Sequence, residues 1–153
     1  MGGVYDRVLF PTDGSEASDV ATDHALAIAD RFGIPLHALF VVDTSSIQTT
    51  DAYATSNFEA TLEALEAEGR QRIEAVEDRA TEAGLEVSSD VVEGRPATDI
   101  VETTADGDVV VMGTHGRTGL DRYLIGSTTE KVVRTADVPV VTVPVPDDVD
   151  SDE

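Results

Sequence analysis

The sequence predicts an α/β fold, a parallel sheet covered by helices on both faces. Three observations carry this. Five short stretches that read as strands, 5–11, 35–42, 85–92, 108–112 and 138–143, alternate with segments whose apolar residues recur every three or four positions. The strands are mostly apolar runs rather than strict alternations, the pattern of strands buried on both faces. Two strand ends run into distinctive turns, Pro11-Thr12-Asp13-Gly14-Ser15 and Gly113-Thr114-His115-Gly116.

Each element has its own signal. Tyr5–Pro11 (YDRVLFP) is the first strand, and Asp13 and Ser15 are N-caps for the first helix. In that helix Ala17, Val20, Ala21, Ala25, Ile28, Ala29 and Phe32 recur at helical spacing, and Gly33 ends it. His24 lies near its inner face and reads as a partly buried packing residue rather than a ligand. Pro35–Val42 (PLHALFVV) is the second strand, followed by a polar surface loop over 44–57. Phe58, Leu62, Leu65, Gly69, Ile73, Val76, Ala80 and Ala83 mark one long amphipathic helix stopped by Gly84. Leu85–Val92 is the third strand. Gly94-Arg95-Pro96 opens a short helix with proline in its first turn and Ile100 and Val101 facing inward. Asp108–Met112, Leu120–Arg134 and Val138–Val143 complete the chain as strand, helix and strand.

At 153 residues the chain is large enough for one domain with a substantial core. That domain is assigned to residues 1–146, with 147–153 an acidic disordered tail. No apolar run reaches the length of a membrane span. The start, Met1–Asp6, lacks the basic and apolar regions of a signal peptide. The expectation is a soluble, cytoplasmic protein that engages no membrane. There is no cysteine, which excludes disulfides, thiolate chemistry and Cys-based metal sites. With 31 acidic residues against 10 basic and a net charge of −21, the chain repels phosphodiester backbones, so no nucleic-acid partner is expected. Lys131 is the only lysine. This acid-rich, lysine-poor balance reads as adaptation to a salt-rich, halophilic cytoplasm, where screening shortens the range of self-repulsion.

The glycine-rich stretch carries the chemistry. Gly113-Thr114-His115-Gly116 is followed after nine residues by Gly126-Ser127, between the fourth strand and the last helix. Glycine permits positive φ and close approach of backbone to a ligand. Successive N–H groups and a helix N-terminus favour an anion, and phosphate suits that geometry. The Gly-x4-Gly-Lys-Ser/Thr pattern of the P-loop is absent.

The spacing Gly-x2-Gly-x9-Gly-Ser resembles the nucleotide loop of the universal stress protein family, in its ATP-binding branch. Gly113, Gly116, Gly126 and Ser127 match it with both intervals intact, and the resemblance extends over residues 4 to 145. It implies a three-layer, Rossmann-like open sheet of five parallel strands in the order 3-2-1-4-5. In such a sheet the ligand lies at the carboxyl ends of the strands, where the order reverses between strands 1 and 4. The resemblance implies ATP there. Positions matching Pro11, Thr12 and Asp13 border the adenosine. Val41 matches the position whose backbone reads the adenine edge, although on sequence alone it is equally a core residue. Gly113, Thr114, His115, Gly116, Arg117, Thr118 and Gly119 would wrap the phosphates, Arg117 offering a cation. Gly126, Ser127, Thr128 and Thr129 would add backbone and hydroxyl donors. Asp13 serves ribose hydroxyls or a metal near the phosphates, or caps the first helix, or both. Mg²⁺ would lessen repulsion between nucleotide and acidic protein, with no metal-ligand set assigned.

The function expected is ATP binding that tunes a stress-response or regulatory protein. The alternative is a slow ATP hydrolase or phosphotransferase using Asp13 and His115. Hydrolysis needs a positioned water, a base and charge stabilisation together. No partner is dedicated to His115, which reads as a loop or ligand-contact residue. A phospho-accepting receiver domain is rejected. It needs paired acids after strand 1, an aspartate after strand 3 and a lysine after strand 4, where this chain has Asp13, Glu93-Gly94 and His115. A flavin carrier is disfavoured by the scarcity of aromatic residues. In the implied order strand 138–143 is an apolar sheet edge, a template for a homodimer.

Overall fold

The apolar stretches become five strands, all parallel, in one sheet ordered β3-β2-β1-β4-β5. The elements follow in the chain as β1 (Arg7–Pro11), α1 (Glu16–Phe32), β2 (Leu36–Asp43), α2 (Thr55–Glu82), β3 (Val87–Gly94), α3 (Pro96–Thr103), β4 (Asp108–Gly113), α4 (Ser127–Thr135) and β5 (Val140–Val143). The structure, a computed structural model, describes residues 4–13, 16–44, 55–114 and 126–144, the side chains of 16–17 and 55–58 excepted. The expected tail over 147–153 lies outside the described residues.

The sheet separates two apolar layers. Val8, Phe10, Ala38, Phe40, Val109 and Val111 pack beneath α1 and α2, which contribute Ala21, Ala25, Ala29, Ile73 and Val76. Leu9, Leu39, Val110 and Met112 point the other way, against Ile100 of α3 and Val132 of α4. Successive residues of β1 and β4 thus serve opposite layers, which is why both read as unbroken apolar runs. Helix α1 approaches the sheet on a row of alanines that are fully buried. Helix α2 comes close at Gly69, where a Cβ would lie 2.7 Å from a ring carbon of Phe40.

Several local expectations are corrected. His24 is exposed rather than partly buried, because it falls beside the buried row Ser18, Ala21, Thr22, Ala25 and Ala29. Phe32 is also exposed, at 52%, its ring set edge-on to Tyr5 with centroids 5.2 Å apart. Helix α4 begins at Ser127 rather than Leu120, with Gly126 as its N-cap in extended conformation (φ −61°, ψ 156°). Residues 120–125 lie outside the described residues. Strand β5 begins at Val140. Pro139 has no N–H for the ladder, though its carbonyl accepts from Val110 N at 2.9 Å.

The amino end of the sheet carries a charged ladder on the α3/α4 face. Arg7 donates to Asp108 from Nε at 2.8 Å and from Nη2 at 2.7 Å. Asp108, 2% exposed, also accepts from Ala105 N at 2.9 Å. On β2, His37 meets Ser88 Oγ through Nδ1 at 2.7 Å and Asp90 through Nε2 at 3.4 Å. Burial holds the His37 pKa below its ordinary 6.5, with help from the positive Arg7 and against the pull of Asp90 and Asp108.

Candidate functional site

At the opposite, carboxyl end of the strands, the order reverses between β1 and β4. Chains leaving these neighbours turn in different directions and leave a crevice between them. A cavity of about 450 Å³ occupies it. One side is the end of β1, Pro11, Thr12 and Asp13. Thr12 N donates to Leu39 O at 2.9 Å, which extends the β1–β2 ladder to the cavity wall. The Ser18 hydroxyl of α1 donates to Asp13 Oδ1 at 2.9 Å and accepts from Asp13 N at 3.1 Å. The aspartate is thereby tied to the first turns of the helix it is expected to cap.

The other side is the end of β4 and the start of α4. Gly113 is buried and closes β4. Thr114 N donates to Val143 O at 3.1 Å, and Gly126 N donates to Thr114 O at 2.7 Å. Among the described residues no side chain caps α4, and the N–H groups of Ser127, Thr128 and Thr129 have no partner within the helix. They and the partial positive charge of the helix N-terminus suit an anion. The φ of Gly126 is negative, so its lack of a side chain, not a left-handed backbone, is what glycine contributes there. The Thr129 hydroxyl donates to Gly113 O at 2.8 Å.

The remaining wall is apolar. Leu39 and Val41 of β2, Pro96 and Ile100 of α3, and Met112 of β4 line it from one layer. Phe40 and Val42, with Leu65 of α2, line it from the other, and Asp43 lies at the β2 end. Among the described residues, no group of three or more His, Cys, Asp and Glu side chains is placed to hold a metal ion.

The sequence-predicted residues Pro11, Thr12, Asp13, Val41, Gly113, Gly126, Ser127, Thr128 and Thr129 thus converge on one cavity, with Thr114 in the backbone beside it. His115, Gly116, Arg117, Thr118 and Gly119 lie outside the described residues. Sequence reasoning missed Ser18, Phe40, Leu65, Pro96 and Ile100 as lining residues. Leu65 and Ile100 carry only helical spacing, Phe40 only an apolar run and Pro96 only a first-turn proline, signals of packing and helix start, and Ser18 carries none.

Comparison with known proteins matches residues 4–144 to the universal stress protein family. A curated relative, universal stress protein MJ0531 of Methanocaldococcus jannaschii, is 38% identical over 145 residues, covering 94% of this chain and 84% of the relative. The solved structure of MJ0577 from the same organism superposes with a TM-score of 0.82 at 28% identity, covering 95% of this chain and 99% of that one. Universal stress protein UspA from Lactobacillus plantarum superposes with a TM-score of 0.75 at 29% identity, covering 93% and 99%. Among the described residues, no helix is long and apolar enough to cross a membrane.

Proposed function

The chain belongs to the universal stress protein family, and from that premise we propose that it is an ATP-binding regulatory protein whose nucleotide occupancy tunes conformation or partner interactions. The cavity at the sheet reversal carries this reading, because it joins an apolar wall to a helix start that no described side chain caps. Its volume is that of a small-molecule site. Adenine would lie against Val41, Pro96 and Ile100, and ribose hydroxyls would donate to Asp13. The phosphates would extend toward Gly113, Gly126, Ser127 and Thr128, and toward His115, Gly116, Arg117, Thr118 and Gly119. Mg²⁺ usually takes one or two carboxylates and completes its shell with phosphates and water. The cavity suits that, since Asp13 lies on the β1 side, so Mg²⁺ would arrive with the nucleotide and neutralise part of its charge.

Calorimetric titration with ATP and Mg²⁺ should show binding by the parent protein and a large loss in Gly116→Val, which adds a side chain where backbone must approach phosphate. Ligand at a hundredfold above its dissociation constant should stabilise the fold by ~2.7 kcal/mol. Equal affinity in parent and variant would remove the glycine loop from the site.

Binding is favoured over hydrolysis because the Asp13 carboxylate already accepts from Ser18, while the described groups at the start of α4, the N–H groups and hydroxyls of Ser127 and Thr128, are donors rather than bases. Turnover should stay far below the ~10 per second of a median enzyme. Ordinary enzymatic rates that His115→Ala abolishes, with affinity intact, would promote the hydrolase or phosphotransferase reading.

Assembly and setting belong to the same reading. β5 is an apolar sheet edge, and pairing there about a two-fold axis would give a homodimer, with light scattering reading twice the 16.2 kDa chain. The net charge of −21 supports a halophilic cytoplasm, and melting temperature should rise from low to molar KCl.

A further inference from the structure

Threonine hydroxyls inside helices commonly turn back to the carbonyl one turn earlier. Three among the described residues do so: Thr22 to Ser18 O at 2.9 Å, Thr103 to Asp99 O at 2.7 Å and Thr135 to Lys131 O at 2.7 Å. Thr129 departs from them. It stands in the first turn of α4, 3% exposed, and its Oγ1 donates across to the Gly113 carbonyl, sixteen residues earlier, at 2.8 Å. A hydroxyl has one proton to donate. That of Thr129 is committed to β4, so it is not the phosphate donor that the sequence suggests.

We infer that Thr129 is a positioning residue, whose hydroxyl fastens the N-terminus of α4 to the end of β4 and thereby holds the α4 donors at phosphate-binding distance. The inference rests on the reading of this cleft as a nucleotide site. Two backbone bonds work beside it, Gly126 N to Thr114 O and Thr114 N to Val143 O. The backbone pair fixes the point of entry into the helix. Thr129, one turn further along, fixes the direction in which the helix leaves. Without it α4 can pivot about Gly126, and the Ser127 and Thr128 N–H groups lose their aim. Donors aimed at a charged group lose value quickly when they move by fractions of an ångström. The bond made by this hydroxyl joins α4 to β4, so the adenosine contacts on the β1 side of the cavity should survive the change.

The test compares ATP with adenosine, by calorimetry, on the full chain and on Thr129→Val and Thr129→Ser. Valine keeps the shape and removes the donor, while serine keeps the donor. Thr129→Val should bind ATP about tenfold more weakly, the factor one lost hydrogen bond carries. Its adenosine affinity should stay within about twofold of the parent, on the same hydrogen-bond scale. Thr129→Ser should recover ATP affinity. In protein without nucleotide, amide exchange at Gly126 should quicken in Thr129→Val only. If Thr129→Val does not fold, Thr129→Ala supplies the same readouts. Unchanged ATP affinity in the valine variant, or equal losses for ATP and adenosine, would overturn the positioning role. A parent protein that binds no ATP would instead fail the nucleotide reading itself, and the two failures are told apart by the parent alone.

Discussion

The two ends of one sheet use the same strands for opposite purposes. At the amino end, Arg7, Asp108, His37, Ser88 and Asp90 satisfy each other across neighbouring strands. At the carboxyl end, backbone bonds and the hydroxyls of Ser18 and Thr129 tie the turns together but leave a cavity and a helix start that no described side chain caps. The β1–β4 neighbour relation is common to both ends. It brings a bidentate ion pair together below, and above it sends the chain in two directions. The charged ladder and the cavity are therefore separated along the strand axis. A change at the amino end should alter how firmly the sheet holds and leave the cleft's chemistry intact.

Asp108→Ala breaks the amino end most severely. It removes the carboxylate from Arg7, which keeps the Thr103 carbonyl at 3.3 Å from Nη2, and removes the acceptor for Ala105 N. Removal of one partner from a buried pair is strongly destabilising. Because Arg7 is 28% exposed, the loss belongs at the low end, about 3 kcal/mol, read by urea unfolding. ATP affinity of the folded fraction should match the parent. A matching loss of affinity would break the separation of the two ends. Gly69→Ala probes the carboxyl end through the core. Its Cβ would press on Phe40, which also lines the cavity. Overpacking of this kind costs about 1–3 kcal/mol, and here the melting temperature and ATP affinity should fall together.

The smallest effect sharpens the comparison by pH. The His37 pKa is lowered in the fold, so below its ordinary 6.5 the unfolded chain binds more protons than the folded one. Stability then falls as pH drops from about 6.5 through the lowered folded value, and is independent of this group above that window. Positive Arg7 opposes the incoming charge, while Asp90 and Asp108 favour it and Ser88 holds Nδ1. His37→Gln should flatten the slope of melting temperature between pH 5 and 7 and leave the pH dependence of ATP binding unchanged. An identical slope in the variant would remove His37 from the account.

The central strands are readable because burial on both faces leaves apolar runs that no surface element imitates. Strand β3 reads two residues early, at 85–92 rather than Val87–Gly94. As a sheet edge it alternates half-buried and exposed positions, which blurs its ends. The glycine spacing points to the cavity, since Gly113 and Gly126 both line it. Phe40, Leu65 and Ile100 carry no such mark, since they are ordinary core residues made into cavity walls by distant segments. His37 is equally inconspicuous inside PLHALFVV. Its partners come from other strands, and register, invisible in one sequence, aligns them. Thr129 is legible in place but not in contact. A hydroxyl in a glycine-rich turn signals a donor, but only the fold shows that β4 has claimed it.

The pairing of β1 with β4 also sets the order of events in assembly. Arg7 and Asp108 are 101 positions apart in the chain. A chain emerging from the ribosome can close β1 on β2 early, yet it has no cleft until β4 and the start of α4 have followed. Bringing such distant segments together carries a loop-closure cost, which tends to slow the step. A ligand in the cleft meets only the nearly finished molecule. Contacts that form after the barrier to folding slow unfolding without hastening folding. Occupancy would therefore lengthen the lifetime of a folded molecule, and the rate at which new molecules mature would be left to the chain itself.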